Sequence, residues 1–379
     1  MNLLHIGKFY PPYRGGMETY LCDLAEAQVK QGHQVKVLVH NHDWQRLKSV
    51  TTVEQSMPGL TVIRQACLRP VLFTPWMLGL NKQVKRIIHE HHIDIIHLHV
   101  PNPSLFQLLF NRSAKNIPWV MRWHADMVTS SSSGLMRFIY RCVKPIETAL
   151  IKKARQVIVS TPEYLKHSPQ LIKFADRVSV IPLGLNISQV IVPKDKPVSD
   201  KAFQVLSVGR LSYYKNHRLL IDAMEHLPNM QLTIAGDGDL KAELQRHIQS
   251  KQLSHRVTLT GAVTESEKNQ LLEDCHVFCL ASNDRAESYG VVLLEAMARH
   301  KITLAADTEG SGMSWLANNY PRGYTFGNND LTDLVAKLKQ LQNNYTTIIK
   351  QPVDFNLTIE QTATAIFHLY QQILSSESP

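Results

Sequence analysis

Val205-Leu206-Ser207-Val208-Gly209-Arg210-Leu211-Ser212-Tyr213-Tyr214-Lys215-Asn216 is the stretch whose reading decides the fold. Four residues of a short buried strand end at a glycine, two cations follow within six residues, and helix-period sequence begins beyond them. The first residues of the chain repeat the plan: Leu3-Leu4-His5-Ile6, then Lys8-Phe9-Tyr10-Pro11-Pro12-Tyr13-Arg14-Gly15-Gly16-Met17-Glu18, then an amphipathic stretch over 17–31. Strand, glycine-containing basic loop and helix form the opening unit of a doubly wound parallel sheet, in which ligands bind beyond the carboxyl ends of the strands.

Working outward, apolar runs of strand length alternate with helix-period segments. In the first half they are Val35–Val39, Leu60–Ile63, Ile93–Leu98, Trp119–Met121 and Val157–Val159, with amphipathic stretches at 76–90 and 135–153. After the polar interruption Pro193-Lys194-Asp195-Lys196-Pro197-Val198-Ser199-Asp200, a second series follows Val205–Val208: Leu232–Ala235, Val257–Leu259, Val277–Leu280 and Ile302–Ala305. The expected fold class is therefore α/β, with two Rossmann-like domains of parallel sheet. The expected boundaries are 1–190, 191–356 and a closing helix within 357–379 that packs back toward the N-terminal domain. No tandem repeat or low-complexity tract interrupts the pattern.

Composition bounds the functional classes. With 379 residues, 44% hydrophobic and 19% charged, the chain is globular. No apolar run approaches the roughly 18–20 residues of a membrane span, and the first residues read as a strand rather than a signal peptide. Five scattered cysteines, Cys22, Cys67, Cys142, Cys275 and Cys279, fit a reduced compartment, so a cytoplasmic location is expected. The net charge of +9 is unevenly placed: residues 1–190 hold 23 Lys and Arg against 11 Asp and Glu, and the remainder 18 against 21. A basic first half suggests an anionic surface as partner, nucleic acid or phospholipid headgroups, against the plain alternative of solvated charge.

Four groups of residues could carry chemistry. In Glu287-Ser288-Tyr289-Gly290-Val291-Val292-Leu293-Leu294-Glu295-Ala296-Met297-Ala298, the run from Val291 to Ala298 predicts a buried helix that Glu295 alone interrupts. A carboxylate there needs either a basic partner or a polar ligand. Glu287 precedes the helix, where free amides suit an anion. Arg210 and Lys215 offer a fork and a point charge for a diphosphate, or are simply solvated. Gly15-Gly16 permits close backbone approach to a phosphate or sugar, or makes a tight turn; it is not the dinucleotide fingerprint. His124, after the strand at 119–121, could bond a hydroxyl or serve structure.

Together these residues resemble a known family. Glu287 and Glu295 are separated by seven residues, as in the E-x7-E motif of retaining glycosyltransferases of the GT-B fold, family 4 (group 1). Gly15-Gly16 with Glu18, Gly32-His33-Gln34-Val35, His97-Leu98-His99, His124, Ile181-Pro182-Leu183-Gly184, Gly209-Arg210 with Lys215 and Gly236-Asp237-Gly238 follow the family order over nearly the whole chain. Val100-Pro101-Asn102-Pro103 and Ser160-Thr161-Pro162-Glu163-Tyr164-Leu165 look like bacterial members that build surface polysaccharide or lipid-linked oligosaccharide. The resemblance implies two facing domains with a cleft between them, and transfer of a hexose from a GDP- or UDP-linked donor with retention. It implies Arg210 and Lys215 on the donor diphosphate, Glu295 on the ribose, and Glu287 on the sugar beside the amides of Tyr289, Gly290 and Val291. His124 would contact the sugar, Gly16 the diphosphate, and Val263 the base. Arg299-His300-Lys301-Ile302 departs from the glycine and proline usual after the motif, and Thr308-Glu309-Gly310-Ser311-Gly312-Met313 is peculiar to this chain.

The implied chemistry needs no metal or other cofactor, because cations and a helix terminus can balance the leaving diphosphate. Asp237-Gly238-Asp239 is a possible metal site of the other major glycosyltransferase fold, but a strand-to-helix turn explains it. His97 and His99 share a strand face without a completing ligand set. An epimerase of the same architecture and a basic nucleic-acid-binding protein are the alternatives; no helix-turn-helix, zinc or RNP motif supports the latter, so no nucleic acid is expected. The expected partners are a nucleotide sugar, a glycan or lipid-linked acceptor, and an anionic membrane surface at the inner face of the cytoplasmic membrane. The membrane would be met through Met136–Lys144, Lys152, Lys153, Arg155, and Lys82, Lys85 and Arg86 beside Trp76-Met77-Leu78.

Overall fold

The first strand, Asn2–Ile6, buries Leu3, Leu4, His5 and Ile6 completely, as a strand covered by helices on both faces must. The computed structural model describes residues 1–13, 15–43, 49–71, 74–126, 134–188, 190 and 202–376. Arg14 and the polar interruption at 193–200 lie outside the described residues, as do the side chains of Met136 and Ile139.

Contacts divide the chain into two units: Met1–Asn186 with Leu357–Pro379, and Ile187–Asn356. The first is built on an eight-stranded sheet in the order Val178–Val180, Gln156–Val159, Trp119–Trp123, Ile95–Val100, Asn2–Ile6, Gln34–His40, Leu60–Gln65, Thr52–Met57. All pairings are parallel except the last, where Thr52–Met57 runs antiparallel to Leu60–Gln65. The second unit holds six parallel strands in the order Val257–Gly261, Met230–Ala235, Phe203–Val208, Val277–Leu280, Ile302–Asp307, Gly323–Gly327. In both sheets the chain builds outward from its first strand on one side, then returns to the other side of that strand. That reversal is the switch point of a doubly wound fold, and it lies beside Asn2–Ile6 in one unit and Phe203–Val208 in the other.

The sequence leaves some elements unseen. Thr52–Met57 is exposed along nearly its whole length, so no apolar alternation marks it. Gly323–Gly327 is an edge strand bounded by glycines. The stretch 76–90 needs correction: Trp76 and Met77 end a strand, Thr74–Met77, paired with Cys67–Val71, and the helix is Leu80–His91. Gly79 in the left-handed conformation (φ 66°) makes the break.

The last helix, Ile359–Ser375, is entered through a capping box of Thr358 and Gln361. It packs on the helix Gly16–Lys30, burying Ile359, Ala363, Ile366 and Tyr370. Leu185 bridges to Thr358, and Thr362 Oγ1 donates to the carbonyl of Pro182 at 3.1 Å.

In the second unit the turn after Met230–Ala235 passes against the turn after Phe203–Val208. Gly236 has φ 147°, and a Cβ there would lie 1.9 Å from the carbonyl oxygen of Gly209. Only glycine fits both the angle and the approach. Gly236→Ala should therefore destabilise the chain by at least about 2 kcal/mol, read as a lowered urea midpoint of the transition that includes the second unit; an unchanged midpoint would show that the two turns are free to separate.

Candidate active site

Phe203–Val208 and Val277–Leu280 are adjacent parallel strands, paired at Val205 with Val277 and Leu206 with Phe278. Their outgoing loops part at the switch point, which is where the chemistry-bearing residues of the second unit collect. Asn283 N–H donates to the carbonyl of Tyr214 at 2.8 Å and ties the two loops together. Lys215, from the first loop, and Glu287, from the second, meet there in a close Nζ–Oε2 ion pair. The side chains are only 9% and 14% exposed. Burial pushes the Lys215 ammonium down, but Glu287 and the Tyr214 phenol outweigh it, and its pKa ends above the ordinary lysine value. Lys215 therefore remains charged, held by one carboxylate that a polyanion could replace.

Glu287 is braced from behind. Ser282 Oγ reaches its Oε2 at 3.5 Å, and Ser311 Oγ donates to its backbone carbonyl. Thr308 Oγ1 donates to the carbonyl of Ser282 at 2.7 Å, and Gly312 N–H to that of Ser288 at 2.9 Å. The segment from Thr308 to Met313 is thus the rear wall of the Glu287 loop. Tyr289 is buried, Gly290 caps the following helix with φ 84°, and Val291 opens it. The helix is Val291–Met297, one residue shorter than the apolar run suggests.

Of the two readings open for Glu295, the structure gives the basic partner. Lys268 Nζ lies 3.0 Å from Oε1 and 2.8 Å from Oε2, both side chains being about 15% exposed. Lys268 also holds Glu265 at 2.8 Å, and burial, which lowers its pKa, is outweighed by the two carboxylates. Lys268 sits on the helix Glu265–Asp274, and half-buried Val263 lies in the turn just before it, so Val263 and Glu295 are joined through one helix. The departure at 299–302 is structural. His300 takes the left-handed conformation (φ 57°) usual for a glycine after a helix, and Arg299 Nη1 donates to the carbonyl of Glu295 at 2.9 Å.

Arg210 does not join Lys215 in the buried pair. It is two-thirds exposed and lies 3.6 Å from Asp239. Asp237 accepts from Gly238 N–H at 2.8 Å and faces Lys241 at 3.3 Å; these two contacts hold its carboxyl below the usual range. The two carboxylates of Asp237-Gly238-Asp239 thus turn to different side-chain cations, Lys241 and Arg210.

In the first unit, Gly16 is exposed at the first turn of the helix Gly16–Lys30, with the buried carboxylate of Glu18 folded against Gly15. Burial raises the pKa of Glu18, and Lys8 opposes the rise. His124 follows the strand Trp119–Trp123 and is 6% exposed. Its Nε2 is 3.1 Å from His99 Nδ1; His99 Nε2 is 3.0 Å from His5 Nδ1; His5 Nε2 is 2.7 Å from Gln28 Oε1. Burial lowers all of these imidazoles: His5 to about 4, His124 to about 3 with Arg122 adding repulsion, and His99 well below its ordinary value.

Nitrogen atoms of His5, His97 and His99 lie within 4.8 Å of one another, the one His-rich cluster among the described residues that could be considered for a metal. His5 Nδ1 and His99 Nε2 are 3.0 Å apart, a hydrogen-bond distance at which one nitrogen donates to the other. The chain from Gln28 to His124 escaped sequence reasoning. Its one visible signal was the alternation His97-Leu98-His99, because Gln28 and His5 come from other elements. Lys268 gave no signal at all.

Residues 191–356 match the family described as "Glycosyl transferases group 1", and residues 14–189 match "Glycosyltransferase Family 4". The chain is 28% identical over 391 residues to the O-antigen chain mannosyltransferase C of Escherichia coli, with all of both chains covered. It is 27% identical to the phosphatidyl-myo-inositol mannosyltransferase of Mycobacterium leprae over 78% of this chain and 75% of that one. Among solved structures, Anabaena HepE in complex with UDP superposes with a TM-score of 0.68 over all of both chains at 19% identity.

The buried pair generates a prediction about stability. Lys215→Met leaves the Glu287 carboxylate buried and alone, and should cost about 3–5 kcal/mol. Lys215→Met with Glu287→Gln removes both charges and should recover most of that loss in the same urea titration. Equal losses in the single and double variants would show that the pair is not a coupled, desolvated unit.

Proposed function

The chain belongs to the GT-B glycosyltransferases of group 1 and family 4, enzymes of the hexosyltransferase class, and we propose that it moves a hexose, with retention, from a nucleoside-diphosphate donor to a glycan or lipid-linked acceptor of a surface polysaccharide. The observation that carries this reading is the Lys215–Glu287 pair at the switch point of the second unit. A charged, nearly dry ammonium beside an acceptor-only carboxylate suits a ligand that joins a diphosphate to a polyol. The name of the Escherichia coli relative makes mannose the first sugar to test, and the UDP held by Anabaena HepE supports a nucleotide donor.

In this reading the donor diphosphate takes Lys215 away from Glu287, which is then free to accept hydrogen bonds from the sugar. Arg210 leaves exposed Asp239 for the same diphosphate, and the amides of Tyr289, Gly290 and Val291 lie beside the sugar. Glu295, held in place by Lys268, receives the ribose hydroxyls, and Val263 packs on the base. From the first unit, Gly16 is assigned to the diphosphate and His124 to the sugar. As the bond to the anomeric carbon breaks, negative charge grows on the leaving diphosphate. Fixed cations lower the barrier by meeting that charge without reorganising. The acceptor oxygen arrives on the face that the phosphate leaves, and its proton passes to the departing phosphate. Since Lys215 and Arg210 supply the positive charge, the reaction needs no divalent ion.

Lys215→Ala and Glu287→Ala should each lower kcat/KM by about 2–4 kcal/mol of transition-state stabilisation, near 30- to 1,000-fold, with GDP-mannose and UDP-glucose as the donors tried. Transfer by the unaltered chain should survive excess EDTA. Near-normal transfer by both folded variants would overturn the site assignment; loss in EDTA restored by Mn²⁺ would return attention to Asp237 and Asp239.

A lipid-linked acceptor lies at a bilayer, and among the described residues no helix is long and apolar enough to cross a membrane. The helix Gly134–Lys153 exposes Phe138, Arg141, Cys142, Pro145 and Ile146, which at helical spacing form one stripe of apolar and basic character. We therefore assign reversible membrane contact to the first unit. Co-sedimentation with anionic liposomes should be strong at low salt and fall at high salt; equal binding to neutral liposomes, or none to either, would count against the contact.

A further inference from the structure

The imidazole chain behind His124 has a direction, and the direction determines what His124 can recognise. His5 and His97 are cross-strand partners on Asn2–Ile6 and Ile95–Val100, and His99 lies two residues on, along the same face. The rings of His97 and His99 are stacked with centroids 4.8 Å apart, and those of His99 and His124 at 5.4 Å. His5, His97, His99 and His124 are buried, and desolvation keeps them neutral. A neutral imidazole carries one N–H and one bare nitrogen, so imidazoles joined end to end all point the same way, and the group at the end chooses which way.

That end group is Gln28, buried on the helix Gly16–Lys30. Its amide Nε2 faces the Tyr370 hydroxyl at 3.5 Å, and Tyr370 in turn bonds His97 Nδ1. In this amide orientation the oxygen faces His5 Nε2, at 2.7 Å. His5 must then donate from Nε2 and accept at Nδ1, and His99 must donate from Nε2 and accept at Nδ1. The last link requires the proton of His124 on Nε2. Nδ1 of His124 has no hydrogen-bond partner among the described residues.

We propose that Gln28, His5 and His99 are positioning residues that hold His124 as its Nε2–H tautomer, so that a bare Nδ1 accepts a hydrogen bond from a hydroxyl of the transferred sugar. This rests on the reading of His124 as a sugar contact. It gives that contact a polarity: the sugar must donate there. A donor sugar with fluorine in place of that hydroxyl, able to accept but not to donate, is refused as firmly as the deoxy sugar. A divalent ion on His5, His97 and His99 would need the lone pairs that the chain uses and is incompatible with it.

The test begins with the full chain, alone, labelled with ¹⁵N in histidine. Proton–nitrogen correlation should show His124 protonated at Nε2 and bare at Nδ1. A proton on Nδ1, an even mixture of tautomers, or a concerted shift of the His5, His97 and His99 signals on adding Zn²⁺ at stoichiometric level would overturn the proposal. Gln28→Leu should scramble the His124 tautomer, whereas Gln28→Glu, whose carboxylate accepts from His5 in the same sense, should keep it. Turnover of GDP-mannose or UDP-glucose, whichever the chain uses, should fall about tenfold or more in Gln28→Leu and recover in Gln28→Glu. If His124→Ala leaves turnover unchanged, the sugar contact itself fails and the proposal falls with it. If His124→Ala is damaging but Gln28→Leu is harmless, the contact stands and the relay is overturned.

Discussion

A parallel sheet sends every strand's outgoing loop to the same edge, and only where the strand order reverses do two neighbouring loops part and leave backbone and side chains facing open space. Both units obey this constraint. In the second it brings Lys215 and Glu287 together from loops 72 residues apart. In the first it brings His5, His97 and His99 to the middle of the sheet, with His124 at the carboxyl end of the next strand. Hydrogen bonding then decides how each cluster is used. One is a buried pair of opposite charges; the other is a chain of neutral imidazoles. Burial is the common agent, because it strengthens attraction between the opposite charges of the first and forbids charge altogether in the second.

The strands were legible wherever both sheet faces are covered. Leu3–Ile6, Val35–Val39 and Val277–Leu280 are apolar apart from His5 and Lys36 because nearly every residue in them is buried. Legibility failed at the edges. Thr52–Met57 is polar because solvent covers it. Trp76 and Met77, the end of the strand Thr74–Met77, read as helix because they happen to continue the helical period of 80–91. A local pattern reports how a segment is covered, and edge strands are covered by little.

Within the site, Glu287, Glu295, Arg210 and Lys215 stood out as charged residues next to glycines and apolar helices, but sequence could not show their present partners. Glu295 found Lys268, 27 residues away, and Arg210 found Asp239 instead of sharing the buried position of Lys215. The odd residues after the family motif proved to be substitutions of means: His300 adopts the backbone angle of a glycine, and the segment from Thr308 to Met313 supports Glu287 through Ser311 and Thr308. Such partners are set by loop geometry, which no periodicity encodes.

The first unit is interrupted: its chain leaves at Asn186 and returns only at Leu357, to lay the helix Ile359–Ser375 against Gly16–Lys30. The second unit is continuous, so on a ribosome, which delivers residues in order, it has its whole sequence available while the first still lacks its last piece. Until that helix emerges, the surface of Gly16–Lys30 that it covers is open to water, and Gln28 and His97 lack the hydroxyl of Tyr370. The helix Ile359–Ser375 therefore completes the polar core of a unit whose other elements all precede residue 187. Nascent chains that end between residues 357 and 369 carry the whole second unit and an incomplete first one, with the side of Gly16–Lys30 that the helix covers left for a chaperone or a protease to read.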